Sequence, residues 1–165
     1  MEEVFPLGIE GYLLRKAEPR HYAFAMEAME ESVLASVSEQ EVARAEEWMG
    51  HYRDIVCMHF DGAGMRNDLY ILECDEGPAG ILWLGIGNDQ FTGAETGYVL
   101  GIQVCPRHRG LGLGMEMLLW AESWCREAGL DSVSINVSPS NTWAKRLYED
   151  FGFQTHSLVM RRAIR

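Results

Sequence analysis

A glycine-rich turn between a predicted strand and a predicted helix constrains this chain more than any other feature. The apolar run over 98–104 is typical of a buried strand, and the segment from 115 onwards has the apolar spacing of a helix. The sequence between them reads Arg109-Gly110-Leu111-Gly112-Leu113-Gly114. Glycine lets backbone amides approach a ligand closely, and the first amides of a helix have no partner within it. We therefore expect this turn to bind a phosphate group, with Arg109 adding positive charge.

Two common phosphate-binding turns do not match this segment. A P-loop ends in Gly-Lys-Ser/Thr, whereas this one continues as Gly114-Met115-Glu116. A dinucleotide-binding turn comes first in a βαβ series, and an acidic residue closes the next strand. Here the turn follows strands that look antiparallel, and the next strand runs into Asn136-Val137-Ser138-Pro139. A turn with a purely structural role remains as an alternative.

Length and composition predict one globular domain over residues 1–165. No apolar run reaches the roughly 18–20 residues that a membrane span needs. The N-terminus lacks the basic and then apolar segments of a secretory signal. Without such a signal, the four scattered cysteines are expected to be reduced. We therefore expect a cytoplasmic protein that does not associate with membranes.

The negative charge lies entirely in the first half of the chain. Residues 1–80 contain 17 Asp and Glu against 6 Lys and Arg, whereas residues 81–165 contain 8 of each kind. Nucleic-acid binding is disfavoured, because it needs a basic face that displaces counterions. An acidic half is able to attract a cationic substrate, although a solvated acidic surface explains the same composition.

Periodicity and turn residues predict the element order β-α-α-β-β-β-α-β-α-β. The predicted strands are 9–17, 69–74, 79–86, 96–104, 132–137 and 153–164. The predicted helices are 20–35, 38–60 with Ser38 as the N-cap, 112–128 and 141–150. These connections indicate an α/β (α+β) domain with a mixed, mostly antiparallel sheet of six to seven strands flanked by about four helices. The last strand is a candidate edge for pairing in a homodimer.

A second cluster of interest lies in the predicted helix 141–150. Ala144, Leu147 and Tyr148 share one helix face, and Asn141 lies on the same stripe one turn earlier. The helix would therefore present an amide and a phenol towards the same space. Taken alone, Asn141 also fits a helix cap and Tyr148 also fits the edge of the core.

Together the two clusters resemble the GNAT superfamily of acyl-CoA-dependent N-acyltransferases. The signature Arg/Gln-x-x-Gly-x-Gly/Ala is matched by Arg109, Gly112 and Gly114. The second signature, Asn-x-x-Ala-x-x-x-Tyr-x-x-x-Gly-Phe, is matched by Asn141, Ala144, Tyr148, Gly152 and Phe153. The resemblance is sharp over about residues 80–160 and only topological before them. The family's fold agrees with the predicted element order.

The resemblance implies that acetyl-CoA is the cosubstrate. No metal is expected, because Cys57-Met58-His59 is a lone Cys-x-His without a second ligand pair. Loop amides would hold the pyrophosphate, and strand backbone would pair with the pantetheine arm beside a bulge expected at Gly101. Asn141 would contact the same arm. The implied cofactor-binding residues are Ile102, Val104, Arg109, Gly110, Leu111, Gly112, Leu113, Gly114, Met115 and Asn141.

The resemblance also implies direct attack of a primary amine on the thioester within a ternary complex. The amide of Val104 would bind the tetrahedral oxygen, and Tyr148 would protonate the leaving thiolate. Many relatives carry a carboxylate on the strand before the turn, but segment 98–103 has none. Glu95 is the first candidate for the general base, Glu73 is the second, and a water chain is the third interpretation.

Two functions follow from these expectations. The first is an N-acetyltransferase acting on a small-molecule or peptide amine, with a weak preference for a cationic acceptor. The second is a non-catalytic acyl-CoA-binding or sensing domain, which the missing strand carboxylate favours and the presence of Tyr148 disfavours. A covalent route through Cys105 is disfavoured, since no histidine or aspartate partner is evident beside it.

Overall fold

A six-stranded mixed sheet forms the centre of the computed structural model, which describes residues 3–162 and 164. The strands are β1 (Val4–Pro6), β2 (Leu13–Lys16), β3 (Arg66–Cys74), β4 (Gly77–Asn88), β5 (Glu95–Val104) and β6 (Val133–Ile135). They lie side by side in chain order. Each pair is antiparallel except the last, because β5 and β6 run parallel.

Helices cover both faces of this sheet. They are α1 (Tyr22–Ser36), α2 (Glu39–Val42), α3 (Ala45–Phe60), α4 (Leu113–Glu127) and α5 (Thr142–Phe151). Single turns of 3-10 helix precede α1 and α4, at Pro19–His21 and Pro106–His108. Within the described part of the chain, no helix is both long enough and apolar enough to cross a membrane.

Strand β4 divides the hydrophobic core into two layers. Ile81 and Trp83 pack against α1 and α3, whereas Leu82 and Leu84 face the cluster that contains α4 and α5. All four side chains are at most 3% exposed. A strand buried on both faces is apolar throughout, which explains the continuous apolar run that predicted it.

The predicted fold class and the mixed sheet are confirmed, but the prediction of a single N-terminal strand is wrong. The structure has two short strands, β1 and β2, where the sequence predicted one strand over 9–17. A loop over residues 7–12 joins them, with Gly11 at a φ of 83°. This left-handed conformation turns the chain back on itself, and it favours glycine.

The second predicted helix is broken into α2 and α3. Ser38 does cap α2, since its hydroxyl accepts a 3.3 Å hydrogen bond from the amide of Glu41. The helix then turns at Arg44, whose backbone is no longer helical. The indole of Trp48 donates a 2.9 Å bond to the carbonyl oxygen of Glu41 and holds this corner. The break therefore depends on a contact that helical periodicity does not show.

The predicted last strand, 153–164, is not formed by the residues described in that range, and Ala163 lies outside them. Leu158, Val159 and Met160 are exposed by 76–95%. No described strand lies beside them, so their β propensity has no ladder to join.

Gly80 of β4 lets β4 and β5 approach closely. A Cβ at this position would lie 2.2 Å from the carbonyl oxygen of Gln103 on β5. We expect Gly80→Ala to lower the free energy of unfolding by about 1–3 kcal/mol, because the strands must move apart. Urea denaturation measures the change.

Gly50→Ala is the matched control for this prediction. A Cβ on Gly50 of α3 meets nothing within 4 Å. The same substitution should therefore raise the free energy of unfolding by about 0.5–1 kcal/mol, as expected for alanine in a helix. If both variants were equally stable, the close approach at Gly80 would not be a constraint.

Candidate active site

Strands β5 and β6 pair over three residues and then separate. Gly97, Tyr98 and Val99 align with β6, which ends at Ile135. Strand β5 continues to Val104, and no described strand pairs with its last five residues on that side. The sheet therefore has an internal opening with one backbone edge exposed inside it.

A β-bulge marks the place where the opening starts. The partner of β4 changes from Gly101 to Val99 between Trp83 and Leu84, so Leu100 is the extra residue. The expected bulge is confirmed, one residue before the predicted position. Gly101 has another role here, since a Cβ on it would lie 2.5 Å from the sulfur of Met29 on α1. The glycine thus lets α1 pack close to the opening.

The backbone of Ile102 and Val104 faces this opening. The amide of Cys105 donates to the carbonyl oxygen of Ala79 at 2.8 Å, while Val104 lies opposite Gly80. In an antiparallel pair this pattern makes Val104 a residue whose own N–H and C=O point away from β4. The same holds two residues earlier, at Ile102. These are the two residues predicted to pair with the pantetheine arm.

The glycine turn begins just beyond the end of β5. Gly110 and Gly112 have φ values of 80° and 84°, and Gly112 is the N-cap of α4. Neither position has a Cβ, so the turn presents backbone to solvent at the start of a 15-residue helix. Gly114 permits close packing, because a Cβ on it would lie 3.0 Å from Leu147 of α5. The turn has the open amides and the helix start that a phosphate needs.

Arg109 connects this turn to the end of β5. Its Nε donates a 2.9 Å hydrogen bond to the carbonyl oxygen of Val104. This bond leaves the terminal nitrogens of the guanidinium for an anion. The structure therefore places Arg109 at the junction of the predicted pantetheine and pyrophosphate sites.

Helix α5 supplies the two polar groups that the second signature predicted. The side-chain oxygen of Asn141 accepts a 3.2 Å bond from the amide of Ala144, so Asn141 caps the helix while its NH₂ group can donate elsewhere. Tyr148 is 8% exposed and shares a core cluster with Leu113, and Ile102 packs against that cluster. Burial raises the pKa of Tyr148 to about 12, so the phenol holds its proton at neutral pH.

The two candidate bases predicted from sequence lie in different places. Glu95 is the first residue of β5 and lies opposite Asn88. Val104 lies nine positions further along the strand, about 30 Å away, which argues against a base role for Glu95. Glu73 is the residue before the last of β3, at the same end of the sheet as Val104. Its carboxylate, however, accepts a 2.8 Å bond from Nε of Arg15.

Sequence reasoning missed a third carboxylate, Glu31 of α1. Its Oε2 accepts a 2.8 Å hydrogen bond from Nε2 of Gln103. The pKa of the Cys105 thiol is raised, first by burial and then by the negative charge of Glu31. Glu31 therefore lies near the C-terminal end of β5. It is one of several glutamates on α1, and only the packing of α1 on the sheet distinguishes it.

The raised pKa of Cys105 keeps its thiol protonated, which argues against a covalent acyl-cysteine route. The described residues also include no group of three or more His, Cys, Asp or Glu side chains placed to hold a metal ion.

Comparison with known proteins identifies the family. Residues 26–153 match the model of the acetyltransferase (GNAT) family. The chain therefore belongs to this family.

The similar proteins are known acetyltransferases of several kinds. Over 99 residues the chain is 35% identical to a mycothiol acetyltransferase of Thermomonospora curvata, covering 60% of this chain but only 30% of that protein. A GCN5-related N-acetyltransferase from Ralstonia eutropha superposes with a TM-score of 0.70 at 17% identity, covering 93% of this chain and 99% of the other. The acetyltransferase AAC(6')-Iy, in complex with the bisubstrate analogue CoA-S-monomethyl-acetylneamine, superposes with a TM-score of 0.64 at 17% identity, covering 93% and 98%. At these identities the structural matches show the shared fold.

Gly112→Ala tests the importance of the turn. The left-handed backbone at Gly112 costs a residue with a Cβ about 1–2 kcal/mol, so the turn should change conformation and CoA affinity should fall by about tenfold or more. Isothermal titration of CoA measures the change.

Gly93→Ala is the matched control for the turn. Gly93 has a φ of 72°, and a Cβ there meets nothing within 4 Å. It lies in the β4–β5 loop, at the opposite end of β5 from the turn. The control should show a similar loss of stability with CoA affinity unchanged. Equal CoA affinity in both variants would contradict the role of the turn.

Proposed function

We propose that this protein transfers an acetyl group from acetyl-CoA to a primary amine by direct attack within a ternary complex. The observation that carries the proposal is the opening beside β5, which leads directly into the glycine turn. An extended arm lying in the opening would pair with Ile102 and Val104, and its pyrophosphate would reach the start of α4. The CoA-derived ligand bound by AAC(6')-Iy supports the same class of donor.

The reaction needs a donor to the carbonyl oxygen and a proton donor near the thioester. The protonated acceptor first loses one proton to water, and its nitrogen then attacks the carbonyl carbon, so that a C–N bond forms and the C–S bond breaks. An amide directed at the carbonyl oxygen stabilises the tetrahedral intermediate, and the N–H of Val104 points into the opening as this requires. When the C–S bond breaks, CoA leaves as a thiolate, which then takes up a proton. Tyr148 is the proposed donor of its proton.

Tyr148 suits the role of a donor because of its surroundings. It lies in the core cluster of α4 and α5, with Ile102 packed against that cluster. Burial raises its pKa to about 12, so ionisation does not remove the proton in the range where amines are acetylated. After donation, the phenol is reprotonated by solvent or by the proton that the amine releases.

Glu31 is the proposed anchor of the acceptor amine. It is an exposed carboxylate next to Gln103, one residue before the amide assigned to the intermediate. A protonated amine is attracted to such a group before it loses its proton. Glu31 also belongs to the half of the chain that carries the whole negative charge. Together these observations favour a cationic acceptor, either a small molecule or a peptide amine.

A screen of amines with acetyl-CoA tests the proposed reaction. We expect thiol release that depends on the acceptor, with polyamines, aminoglycosides and peptides with a free N-terminus or lysine as the panel. Binding of CoA without release for any amine would instead identify a sensing domain, the alternative that the absence of a carboxylate on β5 favours. No CoA binding at all would exclude both functions.

Tyr148→Phe should lower kcat by about 100-fold or more, since it removes the proposed acid. CoA affinity, measured by titration, should change less than twofold. In the unsubstituted protein, kcat should show no decline from phenol ionisation below pH 10, because the pKa of Tyr148 is raised and not lowered. Tyr22→Phe is the control, since that hydroxyl bonds to Phe60 between α1 and α3. An unchanged kcat for Tyr148→Phe would remove its assigned role.

Glu31→Gln should raise the KM of a cationic acceptor by about tenfold, as expected for the loss of one charged contact. The KM of acetyl-CoA should stay the same. Glu46→Gln removes the same charge from α3, at an exposed position, and serves as the control. If both variants raised the acceptor KM equally, the overall negative field and not Glu31 would attract the acceptor.

A further inference from the structure

The loop between β1 and β2, residues 7–12, touches the glycine turn on both sides. We name it the clasp loop. Two backbone hydrogen bonds within the loop hold its shape. The amide of Leu7 donates to the carbonyl oxygen of Tyr12, and the amide of Tyr12 donates to the carbonyl oxygen of Ile9, both at 3.2 Å. Two of its hydrogen bonds reach the rest of the chain at the two ends of the segment 109–115.

The first contact lies just before that segment. The hydroxyl of Tyr12 and Nδ1 of His108 are joined by a 2.9 Å hydrogen bond. Their rings also meet edge to face, with centroids 5.7 Å apart. His108 is 6% exposed and Tyr12 is half-buried, so this bond is partly shielded from solvent. A hydrogen bond shielded from water is harder to replace when it is lost.

The second contact lies just after the segment. The amide of Gly8 donates a 2.8 Å bond to Oε2 of Glu116, in the first turn of α4. A Cβ on Gly8 would lie 2.8 Å from the same oxygen, so the chain approaches the carboxylate as closely as glycine allows. Between the two contacts, Ile9 lies against the middle of the turn, 3.7 Å from where a Cβ on Gly112 would be.

We infer that the clasp loop positions the CoA-binding turn. Gly110 and Gly112 make the turn flexible, because glycine has many accessible backbone conformations. Tyr12 and Glu116 fix its two ends to a single outside support. The amides would then be ordered before the pyrophosphate arrives, so less conformational entropy is lost on binding. Tyr12 and Glu116 are thus positioning residues that act through the turn.

This inference rests on the proposed function only in assigning the turn to CoA. The test therefore measures CoA binding directly, without an acceptor. If the wild-type protein binds CoA but acetylates no amine, the proposed reaction is wrong, and the variants below still decide the role of the clasp loop. Wild-type protein that does not bind CoA would overturn both.

Glu116→Ala should weaken CoA binding by about tenfold, as expected when a hydrogen bond to a charged group is lost. Glu116→Gln keeps an oxygen that can accept from Gly8 and should retain most of the affinity. In steady-state kinetics, the alanine variant should raise the KM of acetyl-CoA and leave kcat and the acceptor KM nearly unchanged. Isothermal titration and initial rates measure these values, with a thermal melt to check that each variant is folded.

Two further variants complete the design. Tyr12→Phe removes only the hydroxyl at the other contact and should weaken CoA binding in the same direction. The double variant should lose less than the two single variants added together, because either loss already frees the clasp loop. Glu122→Ala removes a carboxylate from the same helix, where it pairs with Arg126, and this variant should bind CoA normally.

Three results would overturn the inference. Unchanged CoA affinity in both Glu116→Ala and Tyr12→Phe would show that the turn is ordered without the clasp loop. Equal losses in the alanine and glutamine variants of Glu116 would show that its charge matters and not its bond to Gly8. A loss in Glu122→Ala as large as that in Glu116→Ala would point to the charge of α4 as a whole.

Discussion

The separation of β5 from β6 is the constraint on which the rest of this structure depends. Inside a sheet, backbone N–H and C=O groups are costly to leave without partners. Here Ile102 turns both of its groups towards an opening that no described strand fills. Val104 turns its N–H there as well, while its carbonyl oxygen accepts from Arg109. The bulge at Leu100 starts that opening, and the helices α4 and α5 form one side of it. This fold thus leaves open an edge that other sheets must protect.

The two faces of β5 contact different parts of the proposed site. On one face, Ile102 and Val104 pack towards the cluster of α4 and α5 that contains Tyr148. On the other, Gln103 reaches the carboxylate of Glu31 on α1. Alternation of side chains along one strand thus places the proposed acid and the proposed amine anchor on opposite sides of the same backbone. Gly101 is needed for this arrangement, because it admits Met29 and with it the whole of α1.

Much of the structure of the proposed cofactor site could be predicted from sequence, because it is made by local segments. The glycine turn, the cap of α5 by Asn141 and the position of Tyr148 one helix later all depend on residues near one another in the chain. The acceptor side could not be predicted in the same way. Glu95 looked close to the site because it lies near β5 in sequence, but an extended strand carries it about 30 Å away. Glu31 looked remote, yet helix packing brings it to Gln103.

By itself, the sequence determined the family, the sheet class and the place where CoA is expected to bind. Glycines at fixed spacing and a helix cap act through local backbone geometry, which adjacent residues decide. Only the tertiary structure decided which carboxylate faces the end of β5, where the N-terminal hairpin turns, and that its loop holds both ends of the glycine turn. The contacts of Glu31 and of the clasp loop join residues 72 to 108 positions apart, and they form only when helices and strands bury their apolar faces together.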